Sequence, residues 1–215
     1  MLHRAFHVLA ATRRARALHP TGALVPARLH RRGLGSGATG VPWLDEAADE
    51  PALVRFSRAA GLPVPLPDVL GLAVRTWDGD GRPRDLMLST TGTRPRARRF
   101  IVPRRAWGST YSSVLSFASP AGPLLLAARA DARDPRAFEL GVARPHGRWH
   151  PFADLELLAD PERAGDDDGP RWDPVLNPVP GLEIPPPWRG VREAAYAGSR
   201  EGHPGRAGAS VARTP

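Results

Sequence analysis

Three short stretches of this chain bring together residue types that can do chemistry. The first is Arg16-x-x-His19-x-x-Gly22. A histidine beside a glycine turn can sit at a cavity mouth with one ring nitrogen free, and imidazole moves protons near neutral pH. The second is Val54-Arg55-Phe56-Ser57-x-x-x-Gly61, followed by Asp68-x-x-Gly71-Leu72-Ala73-Val74-Arg75. An arginine set among apolar residues is costly to bury unless its guanidinium meets an anion, and a ligand carboxylate would be one. The third is Arg192-x-x-x-Tyr196-x-x-x-Arg200. On a helix these three side chains stack on one face. A guanidinium one turn from a phenol stabilises the phenolate and lowers the phenol below its ordinary pKa of about 10. A phenolate is a hard anionic ligand suited to ferric haem iron. The chain has two tyrosines, Tyr111 and Tyr196.

Each stretch taken singly has a plain alternative. His19 can be a loop histidine before Pro20, and Arg55 can reach solvent along its aliphatic stem. The third stretch can be a surface helix with arginines at charge spacing. Their order along the chain adds what no single one carries.

In that order the three stretches resemble the haem-dependent catalases. That family has an Arg-x-x-His-x-x-Gly segment, a Val-Arg-Phe-Ser segment, an Asp-x-x-Gly-Phe-Ala-Val-Lys strand and, late in the haem domain, an Arg-x-x-x-Tyr helix. The resemblance covers roughly residues 16–91 and 173–200. It implies that His19 is the distal acid–base residue and Ser57 its partner. Arg16 and Arg55 would bind haem propionates. Tyr196 would be the axial ligand of the haem iron, with Arg192 as its hydrogen-bond partner and Arg200 on the same face. The substrate implied is a small peroxide or organic hydroperoxide. The family's distal asparagine follows an Asp-Leu-Val-Gly segment. Here Asp85-Leu86-Met87-Leu88 runs into Ser89-Thr90-Thr91, and the one asparagine of the chain is Asn177. Paired distal donors orient peroxide, so their loss favours slow peroxidase-like chemistry over efficient dismutation.

The elements that must position these residues are short. Of 215 residues 25 are proline and 22 glycine, more than a fifth together, which excludes long uninterrupted helices over most of the chain. Strands are expected at Ala23–Leu29, Val69–Val74, Asp85–Ser89, Ser113–Phe117, Leu124–Ala128, Phe138–Val142 and Phe152–Leu158, separated by Gly or Pro turns. The turn Asp78-Gly79-Asp80-Gly81 reads as a hairpin, and Pro63, Pro65 and Pro67 as an extended connector. The spacing of Leu53, Val54, Phe56 and Ala60 predicts a helix over 51–60. An amphipathic basic helix is expected over 1–17, one last helix over about 190–200 and a disordered tail over 201–215. The fold class is therefore α+β: one reduced, catalase-like antiparallel barrel over 18–200 with six to eight strands, an N-terminal helix and a C-terminal helix. Closing the sheet hides its edges.

Composition narrows the chemistry. There is no cysteine, which excludes disulfides, thiolate metal sites and a cysteine nucleophile. All 30 basic residues are arginine, which excludes a Schiff-base lysine and a Walker-type loop. The net charge of +8 accompanies an Arg, Ala, Pro and Gly bias typical of high-GC coding sequence, so charge alone does not point to nucleic acid. Arg94, Arg96, Arg98, Arg99, Arg104 and Arg105, near Phe100 and Trp107, could track a phosphate backbone, but read better as a solvated rim. His3 and His7, His146 and His150, and Asp166-Asp167-Asp168 make weak metal candidates. Ser89-Thr90-Thr91-Gly92 lacks the strand–elbow–helix setting of a hydrolase nucleophile. The first 44 residues hold no acid; an arginine-rich, acid-poor start resembles a transit peptide, but residues 1–17 read better as a surface helix lying on the domain. No apolar run reaches membrane-helix length, so a cytoplasmic location is the default expectation. A homo-oligomer is compatible with all of this. The competing functions are a haem-free catalase-fold binding module, a phosphoester hydrolase (phosphodiesterase) using the arginine patch, and, last, nucleic-acid binding.

Overall fold

Eight strands hydrogen-bond antiparallel in chain order, and the last returns to the first to close a barrel. The computed structural model describes residues 21–35, 38–164 and 169–186. Its strands are β1 (Thr21–Arg31), β2 (Ala48–Arg58), β3 (Leu70–Trp77), β4 (Pro83–Thr90), β5 (Thr110–Ser112), β6 (Leu125–Ala130), β7 (Ala137–Ala143) and β8 (His150–Leu157). A four-residue helix, α1 (Pro42–Asp45), links β1 to β2. Closure runs through Ala27–Arg31 of β1 against Leu157–Ala153 of β8. The helices expected over 1–17 and 190–200 and the tail over 201–215 lie outside the described residues. No helix among the described residues is long and apolar enough to cross a membrane.

Period-two alternation decides which side chains fill the barrel. Ala23, Val25, Ala27 and Leu29 of β1 point inward opposite Phe56, Val54, Ala52 and Glu50 of β2. Leu70, Leu72 and Val74, Leu86 and Leu88, Leu126 and Ala128, and Leu140 and Val142 continue the inner layer. Phe56 lies at its centre, with ring centroids 5.4 Å from Trp107, 5.9 Å from Phe138 and 6.5 Å from Tyr111. An eight-stranded barrel is just wide enough for side chains to fill. The side chains of this inner layer fill the interior here.

Two expectations are corrected. Residues 51–60 are not a helix, because β2 runs through them. Ala52, Val54 and Phe56 face in while Leu53, Arg55 and Ser57 face out under cover, so both faces are buried and the period of two is blurred into a helix-like spacing. Pro51 is tolerated because β3 pairs only with Leu53–Arg58, leaving the start of β2 with one neighbour. The strand expected at 113–117 is instead β5, which ends at Ser112. Val114 has φ 61°, in the left-handed region, and this breaks the ladder. Phe117 keeps an isolated bridge to Leu124. The other expected strands lie within or overlap β1, β3, β4, β6, β7 and β8.

Candidate functional site on the outer face of the barrel

Seven neighbouring strands place only small residues in one row across the outer face. Gly22 stands opposite Ser57, Ser57 opposite Gly71, Gly71 opposite Ser89, and Ser89 opposite Ser112. Ser112 then faces Ala127, and Ala127 faces Gly141. Ser57, Gly71, Ser112, Ala127 and Gly141 are buried. A row of glycine, serine and alanine keeps large side chains off the backbone there. One step along the strands sits a second row of Leu24, Arg55, Ala73 and Met87. Arg55 is buried at 6% exposure, and its guanidinium crosses to the face of β1. A Cβ on Gly22 would stand 2.5 Å from Phe56 O and 2.9 Å from Arg55 Nη2. Glycine there is what lets the guanidinium lie across β1.

At the far end of the row the cover is Trp149 and Arg98. A Cβ on Gly141 would touch Trp149 at 3.8 Å, so the indole sits on bare backbone. The Arg98 guanidinium stacks 4.4 Å from that indole. Arg98 is 2% exposed, its carbonyl accepts from Ser112 Oγ at 2.5 Å, and its Nε and Nη1 have no hydrogen-bond partner. Burial, then the neighbouring Arg99, lowers its pKa from the ordinary arginine value. The rest of the arginine patch divides differently. Arg94, Arg96, Arg99 and Arg105 are exposed, Arg99 bonding Ser116 Oγ at 2.6 Å, and Arg104 is half-buried.

A third row holds a lock. Arg75 Nε and Nη2 donate to the two carboxylate oxygens of Asp85 at 2.6 and 2.7 Å, both side chains being buried. Asp85 also accepts from Asp173 N and Asn177 Nδ2, each at 2.8 Å. Arg75 donates to Arg171 O at 2.5 Å and stacks 4.8 Å from the Trp172 ring. These bonds fasten residues 171–177 to the outer face of β3 and β4. Asn177 is thus a structural residue. The motif residue Asp68 has a comparable task. Its carboxylate takes Ala60 N and Leu62 N at 3.1 Å and holds the connector after β2.

The described structure brings Arg55 and Ser57 to the outer face; His19, Arg16, Arg192, Tyr196 and Arg200 lie outside the described residues. So do His3, His7 and Asp166–Asp168. Where the resemblance looks for asparagine, Ser89 stands on the small-residue row, while Thr90 turns inward and its Oγ1 accepts from Leu70 N at 3.1 Å. Thr91 is fully buried with an unpartnered hydroxyl. Among the described residues no group of three or more His, Asp or Glu side chains comes together. Spacing alone could not show the row or the lock. Both depend on register between strands, and the only trace in sequence is a glycine inside otherwise apolar strands.

The comparisons with known proteins agree with this architecture. A solved bacterial catalase superposes with a TM-score of 0.57 at 13% identity, over 90% of this chain and 61% of that one. A fungal catalase gives 0.58 at 12%, over 86% and 59%. The fold is catalase-like. The chain spans about three-fifths of the length of these catalases. No protein-family model and no curated protein sequence matches it. Within the catalase-like barrel, Tyr111 points into the interior, donates its hydroxyl to Trp107 O at 2.6 Å, and burial pushes its phenol far above the ordinary value. A phenol so held is no anionic ligand.

Proposed function

We propose that this chain is a haem-binding, catalase-fold oxidoreductase that processes peroxide or organic hydroperoxides, with weak dismutase activity. The observation that carries the reading is the small-residue row on the outer face, bordered by the buried Arg55 and bearing Ser57. The residues fit such a group in shape and charge. The row offers a flat floor, Gly22 keeps space beside Arg55, and a guanidinium pairs well with a carboxylate arm. The buried, unpartnered donors of Thr91 and Arg98 near Ser89 and Ser112 are what a face built for an absent acceptor leaves. With Tyr111 excluded, Tyr196 is the tyrosine whose phenolate would hold the iron.

Haem, when bound, supplies the electrons that break the O–O bond. The chain's residues would do the rest. Arg192 and Arg200 favour the ionised phenol of Tyr196. Arg16 and Arg55 hold the carboxylate arms and so fix the orientation of the ring. A ring nitrogen of His19 takes a proton from one peroxide oxygen and returns it to the other, while the Ser57 hydroxyl fixes the imidazole. Ser89 presents a short hydroxyl where an asparagine would reach further, so peroxide is held less firmly and turnover is slow.

Visible absorption of the full chain, expressed with haem supplied, tests this beside Tyr196→Phe. A strong haem band in the parent, altered or lost in the variant, is expected. A colourless parent that cannot be reconstituted would overturn the reading and leave a catalase-shaped binding module.

A further inference from the structure

The catalase-like barrel has a second feature at its opposite end, where β1 finishes and β4 begins. There a cleft of about 150 Å³ opens between Arg31, Pro42, Trp43, Glu46, Arg84 and Pro180. Its two arginines differ. Arg31 belongs to the frame: Nε donates to Glu50 Oε1 at 2.6 Å, and Nη1 donates to Trp43 O at 3.0 Å and Glu46 O at 2.8 Å. Trp43 is fixed as well, its Nε1 donating to the same Glu50 oxygen at 3.2 Å. The Glu50 carboxylate therefore neutralises Arg31 and anchors the indole wall.

Arg84 has no such arrangement. Among the described residues no carboxylate pairs with it, and its Nε is buried without a hydrogen-bond partner. Directly opposite it in register stands Thr76, 1% exposed, whose hydroxyl is also unpartnered. Buried polar groups are nearly always satisfied, so an orphaned arginine donor on the cleft wall, with a second orphan behind it in register, marks a place for an acceptor. Two acids are near. Glu46 lines the exposed rim. Asp78 feels the Arg84 charge but spends Oδ1 on Arg82 N at 2.8 Å and Asp80 N at 3.0 Å. The indole and two prolines supply apolar walls. A cavity of about 150 Å³ is large enough for a benzene-sized body.

We propose that this cleft binds a small carboxylate with a flat or short apolar tail, its carboxylate on Arg84 and its tail between Trp43, Pro42 and Pro180. The site is separate from the outer face and needs no haem.

Isothermal titration of the haem-free full chain with sodium benzoate tests it. One benzoate binds per chain, Arg84→Gln weakens binding at least tenfold, and the exposed Arg129→Gln, with the same loss of charge, leaves it unchanged. Benzamide, the neutral analogue, binds the parent at least tenfold more weakly, which decides the matter even if Arg84→Gln does not fold. No benzoate binding at millimolar concentration, equal binding of benzamide, an unchanged constant in a folded Arg84→Gln, or inorganic phosphate binding more tightly than benzoate would each overturn the proposal.

Discussion

Asp85 accepts four hydrogen bonds, two from Arg75, one from Asp173 N and one from Asn177 Nδ2. Two of the partners lie 88 and 92 residues away in the chain. That distance explains why the sequence shows Asp85 only as part of a segment lacking asparagine, and Asn177 only as a linker residue. Ser57 and Arg55 were legible because their chemistry travels with a local motif; Arg98 was not, because its burial under Trp149 joins two loops. Removing one partner of a buried ion pair leaves the other without its counter-charge, at a cost of about 3–5 kcal/mol. Asp85→Asn keeps the shape and removes the charge, so it should lower the unfolding free energy measured by urea titration by that order and free residues 171–177 for proteolysis. Arg75→Met in the same chain should recover part of the loss, since it removes the stranded guanidinium. A single-variant loss below about 1 kcal/mol would show that the lock is a surface-type pair.

Strands β1, β3, β4, β6, β7 and β8 could be read from alternation and turn residues; β2 could not. Its outer face is covered where the candidate site lies, and Leu53 on that face is as apolar as the inner Ala52 and Val54, so the run Ala52-Leu53-Val54 hides the alternation that Val54 to Ser57 keeps. The element that carries the motif is thus the one whose period is hidden. The same covered face constrains β1. Gly22 lies opposite Ser57, and a methyl group there would meet Phe56 O at 2.5 Å and the Arg55 guanidinium at 2.9 to 3.0 Å. A backbone carbonyl cannot swing away as a side chain can, so β1 must move. Overpacking of this kind costs about 1–3 kcal/mol. Gly22→Ala should lower stability by that amount and, on the proposed function, reduce haem retention in the absorption assay. Gly79→Ala, in the β3–β4 turn with nothing within 4 Å of its Cβ, should stay within about 0.5 kcal/mol of the parent. Equal midpoints for the two variants would mean that β1 does not press on β2 at Gly22.

The barrel as a whole carries its charge unevenly. The chain has 30 arginines against 22 acids, a net +8, and no lysine to disperse it. Among the described residues its exposed arginine–carboxylate pairs are Arg32–Asp154, Arg82–Asp80, Arg129–Glu139, Arg136–Asp134 and Arg163–Asp160, with both partners more than a third open to solvent. Pairs of this kind contribute about 0–1 kcal/mol each and are weakened by salt. Two pairs that hold the architecture, Arg75–Asp85 and Arg31–Glu50, are nearly closed to solvent and are screened far less. Salt therefore weakens two opposing forces, a small attraction between exposed partners and a general repulsion among the excess arginines, while leaving the buried locks intact. With eight uncompensated charges the repulsion outweighs the attraction. Raising sodium chloride from about 0.05 M to about 0.5 M shortens the screening length from about 14 Å to about 4 Å. The Tm of the haem-free chain should rise by about 2–4 °C, the shift that roughly 1 kcal/mol produces at this size. The haem-free form is the one to measure, because a ligand bound to the folded state raises Tm by itself. A fall in Tm would mean that the exposed pairs outweigh the net charge, and would move the stabilising electrostatics from the two buried locks to the surface.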